Sequence, residues 1–492
     1  MKTINKLWTI WLIFISVLFI SSCGNSENNK TPEETKYESL TVISMNDNHG
    51  ALEANDDNYG MAGIAWYINQ QRTQGNAVLV ISAGDMFQGT AISNTTYGLN
   101  MLEIMNDIDC KAMTIGNHEF DWGLETILAY VDGNPNNGEA NFPFLGCNII
   151  EKETNTVPEY VKEYEVVDFN EFQVGIIGYI GVGIESDISA SKVAPYEFVD
   201  PTPIISRLAE KLRTEEGCEL VIAMGHDAST SCNTMIASLS GDSSVDMIIN
   251  GHTHAVYNRS LVNGNGKTIP VTQAGTASEY LTDTFFNFNE EKNEFETPIS
   301  KTVNMGGIDI YPDEAVLKKI QAMAVEVDKL LGAEIGIAGR NVTRTRVSYW
   351  ASDIILKYIE CDLAVINSGG IRNSAFPIRE GTSISQKKMY EIMPFDNIIK
   401  TCELTGQQLL NVLIITDAVF STNVEKIGST YYIDGEELDL EKVYVLGCVD
   451  YLFDREEVIY GVGQNIVFTE HLMRDLMIQG VKDLPENTRW LD

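Results

Sequence analysis

The chain has 492 residues, 70 acidic against 34 basic, and a net charge of -36. So acidic a surface repels polyanions and excludes nucleic acid and anionic membrane surfaces as general partners, while a small anionic substrate is admitted where the site holds its own cations. With 44% apolar and 9% aromatic residues the chain is globular, and its length exceeds what one hydrophobic core covers, so two domains are expected.

At the N-terminus, Lys2 and Lys6 precede an apolar run over 7–20, too short to span a bilayer but of the length of a secretory signal. The run ends Ile20-Ser21-Ser22-Cys23-Gly24, which resembles the bacterial lipobox, where a signal peptidase cuts before a cysteine that carries lipid. Residues 1–22 therefore read as a lipoprotein signal peptide, Cys23 as the lipidation site and 23–39 as a polar, flexible tether. This implies an exported protein, tied to a bacterial membrane through its lipid alone and facing the periplasm or the cell surface. The seven remaining cysteines are odd in number and show no CxxC spacing, so most are expected as buried apolar side chains.

From Leu40 onward, apolar strands alternate with helices. Strands are expected over 40–45, 77–82, 111–115, 142–149, 174–180, 219–224 and 245–249. Helices are expected over 63–71, 101–108, 124–131 and 203–213. Short apolar strands separated by helices indicate a layered α/β core. The stretch 268–305 reads as β-rich and closes that sheet. A long amphipathic helix over 312–331, with Asp313 and Glu314 at its start and Gly332 after its end, reads as a connector. Residues 333–492 mix strands and helices. The resulting division is 40–308, a connector over 309–332, and a second domain over 333–492.

The chemistry lies where the strands of the first half end. Asp47 and His49 follow the first strand, Asp85 the second, Asn117 and His118 the third. His226 follows the strand over 219–224, and His252 and His254 the strand over 245–249. Five of the six histidines fall in these segments, at the sheet edge where open α/β folds bind ligands. Imidazole mixed with carboxylate suits Zn, Mn, Co or Fe rather than calcium or a thiolate site. Setting His118 aside, the seven remaining ligands are too many for one ion and suit two, with Asp85 as the natural bridge. Two divalent ions bring +4 and the two carboxylates subtract two, leaving a charge that matches a phosphate dianion; such a pair also holds the reacting oxygens for in-line attack. For His118 two readings are open: a substrate-facing group held protonated by Asp121, or a hydrogen-bonding residue behind the ligands.

Together these segments resemble the successive motifs of the calcineurin-like metallophosphoesterases, and Asn117-His118-Glu119-Phe120-Asp121 resembles the form found in 5'-nucleotidases. Asn367-Ser368-Gly369-Gly370-Ile371-Arg372 resembles that family's Asn-Gly-Gly-Gly-Ile-Arg segment, and Met393-Pro394-Phe395-Asp396-Asn397 its segment with a base-stacking Phe. The resemblance implies a layered β-sandwich metallophosphoesterase domain with flanking helices, followed by an α+β substrate-binding domain. It implies one metal held by Asp47, His49, Asp85 and His254, and another by Asp85, Asn117, His226 and His252. It makes His118 and Asp121 the catalytic dyad, Asn367, Gly370, Arg372 and Phe395 substrate-binding, and Arg344 or Arg346 an anion-contacting arginine. The family's late Gly-Gly-Asp-Gly-Phe segment, whose aromatic is the second base stacker, is missing; Tyr451, Phe453 and Tyr460 are the candidates to replace it.

The implied activity is hydrolysis of a small phosphoester, foremost a 5'-nucleotide, to nucleoside and phosphate. The same chemistry on 2',3'-cyclic nucleotides, nucleotide sugars or dinucleotides is the runner-up. Thiosulfate ester hydrolysis and a non-catalytic surface-binding lipoprotein are more distant alternatives.

Overall fold

Strands buried on both faces need a layer on each side, and the first half supplies four layers. In the computed structural model, which describes residues 38–492, two mixed sheets lie face to face with helices outside both. The signal segment, Cys23 and the tether as far as residue 37 lie outside the described residues. In the first sheet Ser39–Met45, Ala77–Ser82 and Cys110–Thr114 run parallel, and Tyr280–Asn289 pairs antiparallel to Ser39–Met45. In the second, Gln173–Ile180, Leu220–His226, Met247–Asn250 and Thr268–Ala274 are parallel.

Side chains alternate between layers along each strand, as the two-residue period requires. Leu40, Val42, Leu79 and Ile81 point between the sheets toward Ile176, Ile222, Met224 and Ile249. Ile43, Met45 and Val80 point outward to the helices Gly60–Arg72, Leu99–Asp107 and Glu314–Leu331. Val221, Ala223 and Ile248 pack on the opposite outside against the helix Pro201–Thr214.

Several expected elements shift. The strand expected over 142–149 is two short pieces, Phe144–Leu145 and Ile149–Glu151, in different sheets. The strand expected to stop at 224 continues through His226. The helix expected from 312 begins at Glu314, because the Asp313 carboxylate accepts the N–H groups of Ala315 and Val316, both at 3.0 Å, and so caps it. That helix buries Val316, Ile320 and Val327 against the first half.

Residues beyond it form a five-stranded sheet in the order Ala418–Phe420, Leu363–Asn367, Val443–Val449, Ile398–Thr405, Gln464–Leu472. Helices Arg344–Tyr358 and Met473–Lys482 pack on it, and its buried core, from Ala338 to Trp490, is a cluster of its own. Six of the seven described cysteines are buried, Cys361 is half-buried, and all seven are free thiols. Among the described residues no helix is long and apolar enough to cross a membrane.

Candidate metal centre and substrate cavity

The strands Ser39–Met45, Ala77–Ser82 and Cys110–Thr114 deliver Asp47, His49, Asp85 and Asn117 at their C-terminal ends. The backbone there is tightly turned. Asp47, His49, Asp85, His252 and His254 have φ of 49°, 52°, 55°, 76° and 56°, so five of the seven expected donors occupy the left-handed region that non-glycine residues avoid. The surroundings hold them there. The N–H of Asp47 donates to Gly84 O and that of His49 to Asp85 O, both at 2.9 Å. The fully buried Glu119 carboxylate accepts the N–H groups of Asp85 (2.8 Å), Met86 (3.0 Å) and Gly116 (2.7 Å), latching two loops together. A side chain at Gly116 would put its Cβ 2.3 Å from Asp85 Oδ1, so only glycine lets that carboxylate lie against the turn.

All seven expected donors meet in one connected cluster. His49 Nε2 and His254 Nε2 face each other at 2.9 Å, and Asp47 Oδ1 is 3.7 Å from the latter. Asp85 Oδ2 is 3.2 Å from His226 Nε2. Asn117 Oδ1 lies 3.0 Å from both His226 Nε2 and His252 Nδ1. Donor atoms of Asp47, His49 and His254 fall within 4.8 Å of one another, as do those of Asp47, Asp85 and His226. The rings are aimed from behind: His226 Nδ1 lies 2.8 Å from Ala83 O and His49 Nδ1 3.1 Å from Gln88 O.

The electrostatics match a cation site. Asp47 and Asp85 are buried, and among the described residues neither pairs with a lysine or arginine. Burial, helped by Asp85, pushes Asp47 up to about 6. Burial also pushes Asp85 upward, but His226 and His118 outweigh it and hold that carboxyl well below its ordinary range. Burial pulls His226 down, yet Asp85 and Asp47 raise it to about 10. Burial keeps His49 well below its usual value and takes His254 to about 4, so both are neutral donors. Two buried carboxylates, imidazole nitrogens of which those of His49 and His254 are neutral, an amide oxygen and no thiolate form a donor set that fits divalent first-row ions.

His118 projects beside this cluster. Its Nδ1 is 2.8 Å from Asp121 Oδ2, and its Nε2 is 3.4 Å from Arg372 Nη2, which comes from the second half. The Phe395 ring stacks on the His118 ring with centroids 5.7 Å apart at 28°, and the Arg372 guanidinium lies 4.7 Å from the Phe395 centroid. Burial pulls His118 down, but Asp121 and Asp85 outweigh it and its pKa is raised.

A cavity of about 390 Å³ opens over His118. Of the residues expected to contact substrate, Asn367, Arg372 and Phe395 line it. Gly369 lines it in place of Gly370, which is buried in the same turn. Arg344 does not line it: its Nε and Nη2 donate to Ile371 O (2.7 Å) and Ser368 O (2.5 Å), so it holds the turn that presents Arg372. Arg346 is exposed on its helix and lines neither this cavity nor the next. Among the three candidate aromatics only Tyr451 lines the cavity; Phe453 is buried in the second core and Tyr460 is exposed. Sequence reasoning missed Asp187, Lys192, Asp417 and Asp450 on the same walls. A second cavity, of about 720 Å³, opens on the far side of His254 and Arg372 and is also lined by His49.

The layered fold and the donors at its strand ends define a class, the calcineurin-like phosphoesterases, and residues 40–256 match that family's model. Residues 325–422 match the 5'-nucleotidase C-terminal domain. The chain thus carries a calcineurin-like phosphoesterase domain followed by a 5'-nucleotidase C-terminal domain, the make-up of a metal-dependent phosphoester hydrolase. It is 25% identical over 459 residues to Endonuclease YhcR of Bacillus subtilis (strain 168), covering 86% of this chain and 36% of that one, about a third of the relative's length. It is 24% identical over 489 residues to a 5'-nucleotidase of Vibrio vulnificus (strain CMCP6), covering 86% of each. Its fold is similar to the crystal structure of a 5'-nucleotidase precursor from Thermus thermophilus, with a TM-score of 0.75 at 21% identity over 92% of this chain and 98% of that one.

Proposed function

We propose that this protein is a 5'-nucleotidase, exported and lipid-anchored through Cys23, that cleaves nucleoside 5'-monophosphates to nucleoside and phosphate. In this reading residues 40–308 carry the metals, 333–492 the nucleoside site, and 309–332 join them. The supporting observation is one cavity that joins the metal-type cluster to His118, Arg372 and the aromatic pair Phe395 and Tyr451. Asp47, His49, Asp85 and His254 would hold one divalent ion and Asp85, Asn117, His226 and His252 another, and the pair would supply the charge neutralisation and water activation that attack on phosphorus requires. Arg372 offers a two-pronged contact to the phosphoryl oxygens. His118, whose affinity for a proton Asp121 raises, lies beside Arg372 and in its protonated form stabilises developing negative charge or protonates the leaving oxygen. Phe395 and Tyr451 give flat surfaces for a base. Asp187, Asp396, Asp417 and Asp450 line the outer wall against the single Lys192, which favours hydroxyl donors there over further phosphates.

A second reading rests on the second cavity. Space on both sides of Arg372 and His254 leaves room for a group on each side of the phosphorus, as in a nucleotide sugar or a dinucleotide. The deciding experiment assays the Mn- or Zn-loaded protein against AMP, 2',3'-cyclic AMP, UDP-glucose, a dinucleoside polyphosphate and single-stranded DNA. AMP is expected to give the highest kcat/KM, with DNA uncut because the chain's net charge of -36 repels it. Loaded protein inactive on every 5'-mononucleotide would refute the first reading, and preference for UDP-glucose would install the second.

A further inference from the structure

The loop after Gln173–Ile180 supplies none of the seven expected donors, yet it reaches the cluster. Asp187 ends the short turn Ile184–Asp187, and its Oδ2 stands 3.3 Å from His252 Nε2. The position is built. Ile184 and Ile188 on either side are buried, the Gly181 N–H donates to His226 O at 3.1 Å, and Glu185 accepts the N–H groups of Gly183 (2.8 Å) and Phe198 (2.9 Å).

His252 has divided duties. Its Nδ1 faces Asn117 Oδ1 at 3.0 Å, inside the cluster, and its backbone N–H donates to Asp47 Oδ1 at 3.0 Å. When a metal takes the Nδ1 lone pair, the ring proton resides on Nε2, 3.3 Å from the Asp187 carboxylate that would accept it. The matching outer nitrogens of His226 and His49 meet backbone carbonyls. Among the described residues, His252 is the expected ligand whose outer nitrogen meets a carboxylate.

We propose that Asp187 is a positioning residue for the metal centre: by accepting the Nε2–H of His252 it fixes the tautomer and aim of the ring whose Nδ1 faces Asn117. This rests on the two-ion reading above. A carboxylate behind a ligating imidazole raises its basicity and holds its orientation, and losing such a partner typically weakens metal binding about 10–100-fold.

Titration of Mn2+ into the metal-free full chain, followed by calorimetry, tests this without any substrate. Two ions should bind to the wild type. Asp187→Ala should raise the dissociation constant of one ion about 10–100-fold and move the other far less. Asp187→Asn, whose amide oxygen still accepts, should lose less. Arg455→Gln, which removes another cationic neighbour of Asp187, should leave both affinities within twofold of wild type. The unfolding midpoint of the metal-free Asp187→Ala protein should match wild type. Two ions bound with unchanged affinities in Asp187→Ala would overturn the role of Asp187 alone. Equal weakening of both ions with a lowered metal-free midpoint would do the same, since it marks general destabilisation. A wild type that takes up one ion or none would overturn both this role and the two-ion reading.

Discussion

Asp121 sets the charge of His118 more than any other neighbour, since its coulombic effect is the largest that raises the ring's pKa. Asp121→Asn keeps the side-chain shape and removes that charge, so the ring releases its proton at lower pH. If protonated His118 is the working form, the alkaline limb of kcat/KM moves to lower pH, and the rate near pH 8 falls on the order of 100-fold. A pH–rate profile of the variant checks this, and an alkaline limb that stays in place speaks against an acid role. Glu119 acts at the same scale by a different physical route. Its two oxygens hold three backbone N–H groups from the turns that carry Asp85 and Asn117. Glu119→Ala leaves three buried donors without partners, each costing about 1–3 kcal/mol. Urea unfolding of the metal-free protein should therefore show a loss of about 3 kcal/mol or more. A loss under about 1 kcal/mol would mean that water or a local shift replaces the latch.

Elements matter through the ends they present. The helix Met473–Lys482 places Arg474, which is 3% exposed, under the turn that carries Phe395. Its Nη1 donates to Met393 O (3.3 Å), Pro394 O (3.0 Å) and Phe395 O (3.1 Å), its Nη2 to Asp396, and its guanidinium stacks 3.8 Å from the Tyr390 centroid. Arg474→Met keeps the bulk and frees that turn, so KM for a nucleotide should rise about tenfold with a smaller change in kcat, alongside a stability loss of about 2–4 kcal/mol. Steady-state kinetics with parallel unfolding curves would show it; unchanged KM would mean the turn holds itself. The same logic of element ends explains what the sequence made legible. Parallel strands buried on both faces are written as unbroken apolar runs, so the strands ending near Asp47, Asp85, Asn117, His226 and His252 could be placed within a few residues. Edge strands carry no such run: Val256–Val262 is mostly exposed and has no apolar signature, and 142–149 reads as continuous although the chain changes sheets there. Asp187 follows another parallel strand of the second sheet, so the strand-end rule points to its loop. That loop has no histidine or asparagine to mark it. Tyr451 sits on a six-residue helix, Asp450–Arg455, where the family's glycine turn is expected, so no motif distinguishes it from Phe453 or Tyr460. Which of the three faces the cavity is a matter of tertiary packing alone.

At the scale of the whole molecule, a chain of net charge -36 folds around two buried carboxylates, and something positive has to lie between them. Without metal that charge is a proton on His226, raised to about 10 by Asp85 and Asp47 against the pull of burial. The sign follows from linkage. A group whose folded pKa stands above its unfolded value of 6.5 contributes its full stabilisation below 6.5 and loses it as pH rises through about 10. An ion ligated by that imidazole would require it neutral, so its binding would displace one proton and compete best at high pH. Metal-loaded and chelated protein should therefore differ more in unfolding midpoint at pH 8.5 than at pH 6. At a free-ion concentration 100 times the dissociation constant, each ion adds about 2.7 kcal/mol, so two ions add about 5 kcal/mol. Calorimetric scans of both forms across that range would measure the difference, and proton release during metal titration in weakly buffered solution would count the exchange directly. A midpoint difference that shrinks as pH rises would mean the ions do not displace the His226 proton, and the carboxylate pair would then have to be neutralised by some other group.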